Sequence, residues 1–252
     1  MGNTKPLDSQ FDVVVIGAGM SGLTVATALK NEGKKVLVLD KARGSGGRLS
    51  SKRLKVDQDK SVSFDLGCNT FSAETTIFRE QVKKWIDHGC AESINGEGCL
   101  DVIVGVPRNS SITRFMADSL DVRFSSLVVN ISRTNKQWLC ELDDENAPSY
   151  LANTIVLALP PQQLANLLPQ GHARKNDLSE IHMQAQWVLM LELDETVDLS
   201  TLDLGGHLQV VEKIYCDSNK PDRKSRAGRK NWLIHACPSW TEDILDMAHS
   251  EL

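Results

Sequence analysis

At 252 residues, with 41% hydrophobic and 24% charged side chains, the chain has the makeup of a soluble globular protein with a substantial core. A net charge of −5 argues against general nucleic-acid binding, and no run approaches the ~18 apolar residues of a membrane span. Six cysteines without a CxxC pair indicate neither a zinc site nor a disulfide framework, so free thiols are expected.

The first ten residues, MGNTKPLDSQ, are polar and contain no signal-peptide core. Gly2 alone does not make a myristoylation motif, because Pro6 stands where Ser or Thr is needed. A cytoplasmic location is the default expectation.

From Asp12 to Arg48 the chain reads DVVVIGAGMSGLTVATALKNEGKKVLVLDKARGSGGR. Val13 to Ile16 is an apolar run suited to a buried parallel strand. It leads into Gly17, Ala18, Gly19, Met20, Ser21 and Gly22, the glycine turn of a dinucleotide-binding βαβ unit. Gly17 permits the tight turn, Gly19 lets backbone approach a pyrophosphate, and Gly22 lets helix and strand pack closely. The helix should use Leu23, Ala26 and Leu29 as its inward face and stop near Gly33. Val36 to Leu39 is the second strand. It ends at Asp40, 23 residues after Gly17 and close to the ~20 at which an acid reaches an adenosine ribose. Lys41 follows.

The second glycine pair distinguishes among dinucleotides. Gly46, Gly47, Arg48 and Leu49 directly after the ribose acid resemble the RxGGR loop of flavin-dependent amine oxidases and their relatives, which implies FAD. One position departs: the loop's first arginine is Gly44 here, with Arg43 one place earlier.

Ile77, Phe78, Val82, Trp85 and Ile86 recur at helical spacing and predict an amphipathic helix whose aromatics form core. Val122 to Phe124, Leu127 to Ser132 and Trp138 to Leu142 read as meander strands with a turn at Asn135. Thr154 to Leu159 is a further buried strand ended by Pro160 and Pro161, with the helix QQLANLL behind it. Trp187 to Leu193 and Trp232 to Ala236 predict an antiparallel sheet. Lys220, Arg223, Lys224, Arg226, Arg229 and Lys230 crowd into one stretch that reads as a solvated loop or, alternatively, an electrostatic funnel for a phosphate-bearing substrate. Asp65 is expected to fix a turn.

DKARGSGGRLSS, FDLGCNTFSA, VGVP, IVLALPPQQLANLL, QWVLMLEL, SNKPDR and NWLIHACPSW, in this order, are similar to segments of renalase-type flavoproteins, a resemblance spanning nearly the whole chain. Departures occur at Cys68, Asn69 and Thr70, where the family has an aromatic, and at Arg108 and Asn109, where it has Gly-Met. The resemblance implies an α/β fold with a Rossmann-like FAD-binding domain and an intertwined α+β substrate domain on an antiparallel sheet. It implies FAD-binding segments at 1–75 and 106–168, and substrate segments at 76–105 and 169–252. It also implies that Val128 offers its backbone to the adenine. The family continues past the position of Leu252 and returns to the flavin with a Gly-Asp segment; no Gly-Asp dipeptide occurs here, so reduced or lost flavin affinity is an expectation.

The activity implied is oxidation of isomeric dihydro-NAD(P) with O2 as acceptor, giving H2O2. Pocket candidates are Asn69, Thr70, Trp187, His235 and Trp240, of which His235, in the apolar string LIHAC, reads first as core. A flavin amine oxidase acting on a small amine is the enzyme alternative, disfavoured because Tyr150 and Tyr215 are the chain's two tyrosines. A non-catalytic or flavin-free protein is the third reading.

Overall fold

A computed structural model describes residues 7–55, 61–96, 100–144, 146–202 and 209–245. In chain order the strands and helices are β1 (Leu7–Ile16), α1 (Met20–Asn31), β2 (Val36–Leu39), β3 (Ser51–Lys55), β4 (Ser61–Asp65), α2 (Thr76–Asp87), β5 (Ala91–Ser93), β6 (Ile103–Gly105), α3 (Ser110–Asp118) and β7 (Asp121–Arg123), followed by β8 (Val128–Thr134), β9 (Gln137–Leu142), β10 (Ser149–Leu157), α4 (Pro161–Leu167), α5 (Arg174–Ser179), β11 (Val188–Asp194), β12 (Val211–Cys216), β13 (Arg229–Ala236) and α6 (Pro238–Asp243). None of these helices is long and apolar enough to cross a membrane.

The chain divides into two units: Met1–Arg48 with Thr113–Met183, and Leu49–Ile112 with Gln184–Leu252. The first holds a six-stranded sheet of order β7-β2-β1-β10-β9-β8. β7, β2, β1 and β10 run parallel, while β9 and β8 extend the sheet as an antiparallel meander. β2 is buried along its whole length, as its unbroken VLVL requires of a central parallel strand. Val14, Ile16, Leu37 and Leu39 pack with Val128, Ile131, Cys140 and Leu142 of the meander in one core. The turn expected at Asn135 is there: Asn135 and Lys136 both have positive φ, 46° and 72°, the pattern of a two-residue hairpin loop.

The second unit contains the antiparallel sheet β11-β13-β12 and two short hairpins, β3-β4 and β5-β6. Leu233 in β13 packs against Val62 and Phe64 of β4. α2 is capped by the Thr75 hydroxyl, which accepts the Phe78 N–H at 3.3 Å. Phe78 and Trp85 stack edge-on, with ring centroids 5.9 Å apart, and both meet Phe71. Ile77 corrects the sequence reading. It is 82% exposed, because the inward stripe runs through Phe78, Val82 and Trp85, and its position lies ~100° around the helix from Phe78.

The units divide the chain differently from the expected domains. Residues 49–75 belong to the second unit, since β4 packs on Leu233 and Asp65 pairs with Lys220 and Arg223. Residues 106–112 follow them, held by the bond from the Asn109 N–H to Asp65 at 3.0 Å. Residues 169–183 stay with the first unit, where α5 packs on α4. β12 is a strand the sequence reading did not contain.

Candidate functional site

The glycine turn sits at the carboxyl ends of β1, β2 and β10. Gly17 donates to the Leu39 carbonyl at 2.8 Å, and Ala158 to the Ile16 carbonyl at 2.9 Å. Gly17 has φ +112°, and a Cβ there would stand 2.5 Å from the Ala158 carbonyl oxygen. At Gly22 a Cβ would stand 1.9 Å from the Gly17 carbonyl oxygen, so α1 can start this close to the turn only with glycine. Leu23 returns its N–H to Gly19 at 3.0 Å. The N–H groups of Met20, Ser21 and Gly22 therefore form the open, positive end of a 12-residue helix.

Asp40 closes one side of this turn. Its carboxylate accepts the Ala18 N–H at 2.5 Å through Oδ2 and the Ala42 N–H at 2.7 Å through Oδ1. The Gly46–Gly47 loop closes the other. Gly46 donates to the Ala18 carbonyl at 3.2 Å, and a Cβ at Gly47, whose φ is +55°, would come within 3.2 Å of the Gly19 Cα. Two glycine backbones thus meet where side chains would fill the space. The segment leading into Val128 is tied to the same acid: Ser126 donates to the Asp40 carbonyl and Ser125 to the Ala42 carbonyl, each at 2.8 Å. A cavity of about 520 Å³ adjoins it, lined by Arg123, Ser125, Leu127, Asp143 and Tyr150 among others.

These features fit the adenosine-diphosphate half of a dinucleotide: close backbone approach for pyrophosphate, a helix N-terminus facing it, and a carboxylate for the ribose. Gly17, Ala18, Gly19, Met20, Ser21, Gly22, Asp40, Lys41, Gly46, Gly47, Arg48 and Val128 all fall in the first unit. Leu49 belongs to the second.

The pocket candidates all fall in the second unit. Trp187, His235 and Trp240 gather at one end of the β11-β13-β12 sheet. Val188 is the cross-strand neighbour of His235, and the Trp187 N–H donates to the Thr241 hydroxyl beside Trp240 at 3.1 Å. The His235 ring meets Tyr215 edge-on at 5.3 Å. Burial depresses the His235 pKa, with Glu212 opposing and Lys213 and Lys220 reinforcing the effect. A neutral imidazole whose buried Nε2 has no partner among the described residues is poorly placed to gain a proton.

Cys68 and Asn69 are held by Asn109, a position that the sequence marks only as a departure from the renalase-type pattern. The Asn109 side chain donates to the Cys68 and Asn69 carbonyls at 2.6 and 2.9 Å and accepts the Gly105 N–H at 2.6 Å. Both polar atoms of the Asn69 amide are buried and have no partner among the described residues. The sequence gives no sign of this role, since the two carbonyls that Asn109 holds lie 41 and 40 residues away.

The basic stretch also needs correction. Lys220 and Arg223 have side chains only 5% and 2% exposed, and both pair with Asp65 and Asp217. Arg226 pairs with Glu192. The stretch is thus neither a solvated loop throughout nor a funnel of six free cations. Asp65 is a buried charge centre more than a turn-former: Arg223, Lys220 at 3.1 Å, the Ser51 hydroxyl at 2.6 Å and the Asn109 N–H converge on it. Burial alone would raise its pKa, but Lys220 and Arg223 hold it below the ordinary carboxylate range. Asp217 goes the other way, raised by burial and by the neighbouring Asp65 charge.

Comparison with known proteins agrees with the first unit's geometry. Residues 15–86 match the NAD(P)-binding Rossmann-like domain family. An L-amino acid oxidase from Bothrops pictus is 37% identical over 73 residues, 29% of this chain and 14% of that protein. An inactive all-trans-retinol 13,14-reductase from Danio rerio is 45% identical over 64 residues, 25% of this chain and 10% of that protein. The chain thus matches only a small share of these relatives' length. A triple mutant of putrescine oxidase shares the fold, with a TM-score of 0.62 at 14% identity over 96% of this chain and 78% of that one. The N-terminal match shows a Rossmann-like NAD(P)-binding region, and the likeness to putrescine oxidase shows the fold alone.

Proposed function

We propose that the protein is an FAD-dependent oxidoreductase that removes hydride from a small organic substrate, with O2 as final acceptor. The observation that carries this reading is the meeting of Gly19 with Gly47 beside the Asp40 carboxylate. The first unit then acts as the FAD-binding domain. Met20, Ser21 and Gly22 would face the pyrophosphate, Asp40 would take the ribose hydroxyls, Arg48 would lie toward the flavin side, and Val128 would meet the adenine. Bound FAD supplies a two-electron acceptor that O2 reoxidises to give hydrogen peroxide.

For the substrate we favour an isomeric dihydro-NAD(P), as in renalase-type flavoproteins. Loss of hydride from a dihydronicotinamide restores ring aromaticity, so orientation matters more than an acid or base. That suits a second unit whose histidine is kept neutral by burial. The second unit would hold the substrate, with Asn69, Thr70, Trp187, His235 and Trp240 as its wall, and the Asn69 amide, which has no partner among the described residues, would serve as a hydrogen-bonding group for a carboxamide.

Oxidation of a small amine is the competing reading, supported by the names of the similar oxidases. A tyrosine clamp around an amine does not suit this chain. Tyr150 is buried in the first unit's core against Phe11, at 6.3 Å between ring centroids, which leaves Tyr215. Anaerobic stopped-flow mixing of flavin-loaded protein decides between them. Dihydro-NAD(P) isomers should bleach the flavin within seconds while simple amines leave it oxidised. Bleaching by amines alone would overturn the substrate assignment, and failure to take up flavin would overturn the oxidoreductase reading itself.

A further inference from the structure

Asparagine followed by glycine is the least durable asparagine pair in a chain, because the glycine nitrogen can attack the asparagine side chain with no Cβ beside it. The chain holds one such pair, Asn95–Gly96. It lies directly after β5, where Ile94 donates its N–H to the Val102 carbonyl at 3.0 Å and extends the pairing with β6. Gly96 takes φ +97°, a conformation that residues with a side chain rarely adopt, so the turn itself requires the glycine. A Cβ built there would meet nothing within 4 Å. Asn95 and Gly96 are both exposed, and the Asn95 amide has no hydrogen-bond partner among the described residues. The other asparagines lack one or another of these conditions, since none is followed by glycine. Asn109 is 0% exposed, with its amide engaged by Gly105, Cys68 and Asn69. The Asn130 amide donates to Glu141 at 2.6 Å, and β-branched Ile131 follows it. Asn135 is exposed like Asn95, but the side chain of Lys136 crowds the attacking nitrogen.

We infer that Asn95 is a site of spontaneous deamidation, at which the chain acquires aspartate and isoaspartate as it ages. The Gly96 nitrogen attacks the Asn95 side-chain carbonyl carbon. A C–N bond forms, the bond to the side-chain nitrogen breaks, and ammonia leaves carrying the Gly96 proton. Water then opens the five-membered succinimide at either carbonyl, so the net change exchanges an amide for a carboxyl group with nothing oxidised or reduced. Opening at the main-chain carbonyl frees the α-carboxylate and routes the backbone through Cβ, one carbon longer than before. Either product places a carboxylate where the side chain was neutral. The isoaspartyl product also lengthens the turn next to the bond that Ile94 makes with Val102. The inference stands apart from the flavin reading, since neither residue belongs to the glycine turn or to the pocket candidates.

The test is prolonged incubation of the full chain at mildly alkaline pH, with samples taken for peptide mapping by mass spectrometry. A parallel sample receives an isoaspartyl methyltransferase and labelled S-adenosylmethionine, which marks isoaspartate and not aspartate. Amide loss and label should accumulate together in the peptide that holds Asn95, faster as pH rises, because attack needs the deprotonated Gly96 nitrogen. Asn95→Gln keeps an amide at this exposed position, so the fold should survive, but its longer side chain would have to close a six-membered ring. The label in that peptide should therefore be lost. Asn135 controls for exposure alone and should stay intact over the same period. An unmodified Asn95, equal modification of Asn95 and Asn135, or labelling of the Asn95→Gln variant at the parent's rate would overturn the site.

Discussion

The Asp40 carboxylate accepts the backbone N–H of Ala18 at 2.5 Å, fixing the second strand's terminal acid against the glycine turn it serves. Oδ1 is occupied by Ala42, so both oxygens are oriented before any ligand arrives, each keeping lone-pair capacity for a ribose hydroxyl. Asp40→Ala should weaken FAD binding about 10- to 100-fold, the scale of losing a charge-assisted hydrogen bond. Quenching of flavin fluorescence on titration measures it. Unchanged affinity would show that the acid serves only to order the turn.

Gly22→Ala tests the close approach of α1 directly. The new methyl carbon would stand 1.9 Å from the Gly17 carbonyl oxygen and 3.2 Å from the Ala158 Cβ, so the helix must retreat from the sheet. A loss of ~1–3 kcal/mol is expected from such overpacking, together with weakened FAD binding. Urea denaturation reads the first effect and flavin titration the second. A variant as stable and as flavin-competent as the parent would contradict the packing described here.

How much of this was legible depended on the range over which each signal acts. The βαβ unit announces itself because its turn, helix and strand are local: Gly17 to Asp40 contains the whole pattern, and β1, α1 and β2 lie where the sequence places them. β12 was missed because VEKIYC neither alternates cleanly nor forms an apolar run. The Asp65 cluster was invisible for another reason. Its partners Lys220 and Arg223 stand 155 and 158 residues away, and in sequence they look like members of a solvated basic run. The pairing with Asp65 removes them from water and ties β4 into the second unit, which is why the expected domain boundary near residue 75 differs from the observed division at Leu49.

Asp65→Asn should therefore be among the most destabilising single substitutions outside the apolar core. It leaves Arg223 and Lys220 buried with only Asp217 to share, and unpairing of this kind costs ~3–5 kcal/mol. Asp65 has a folded-state pKa below its ordinary value of 3.8, so its contribution is present above that pH and lost as pH falls further. Asp217 is shifted upward, and Asp217→Asn, which mimics its protonated form, should cost less. Chemical denaturation at neutral pH ranks the two variants. A smaller loss for Asp65→Asn than for Asp217→Asn would reverse the assignment of the charged member.

His235 offers a pH-dependent test of its own role. Burial, the largest influence, lowers its pKa from 6.5, with Glu212 acting against it and Lys213 and Lys220 with it. The unfolded chain therefore binds a proton more readily than the folded one between pH 6.5 and the depressed folded value. In that window stability falls as the solution is acidified, because unfolding takes up the proton. His235→Gln removes this linkage while keeping a polar side chain beside Tyr215, so the slope of stability against pH below 6.5 should flatten. The same substitution separates packing from proton transfer. A histidine that only shapes the wall leaves the pH profile of flavin reduction unchanged when it becomes glutamine. A base acting on the substrate would instead take a limb of that profile with it.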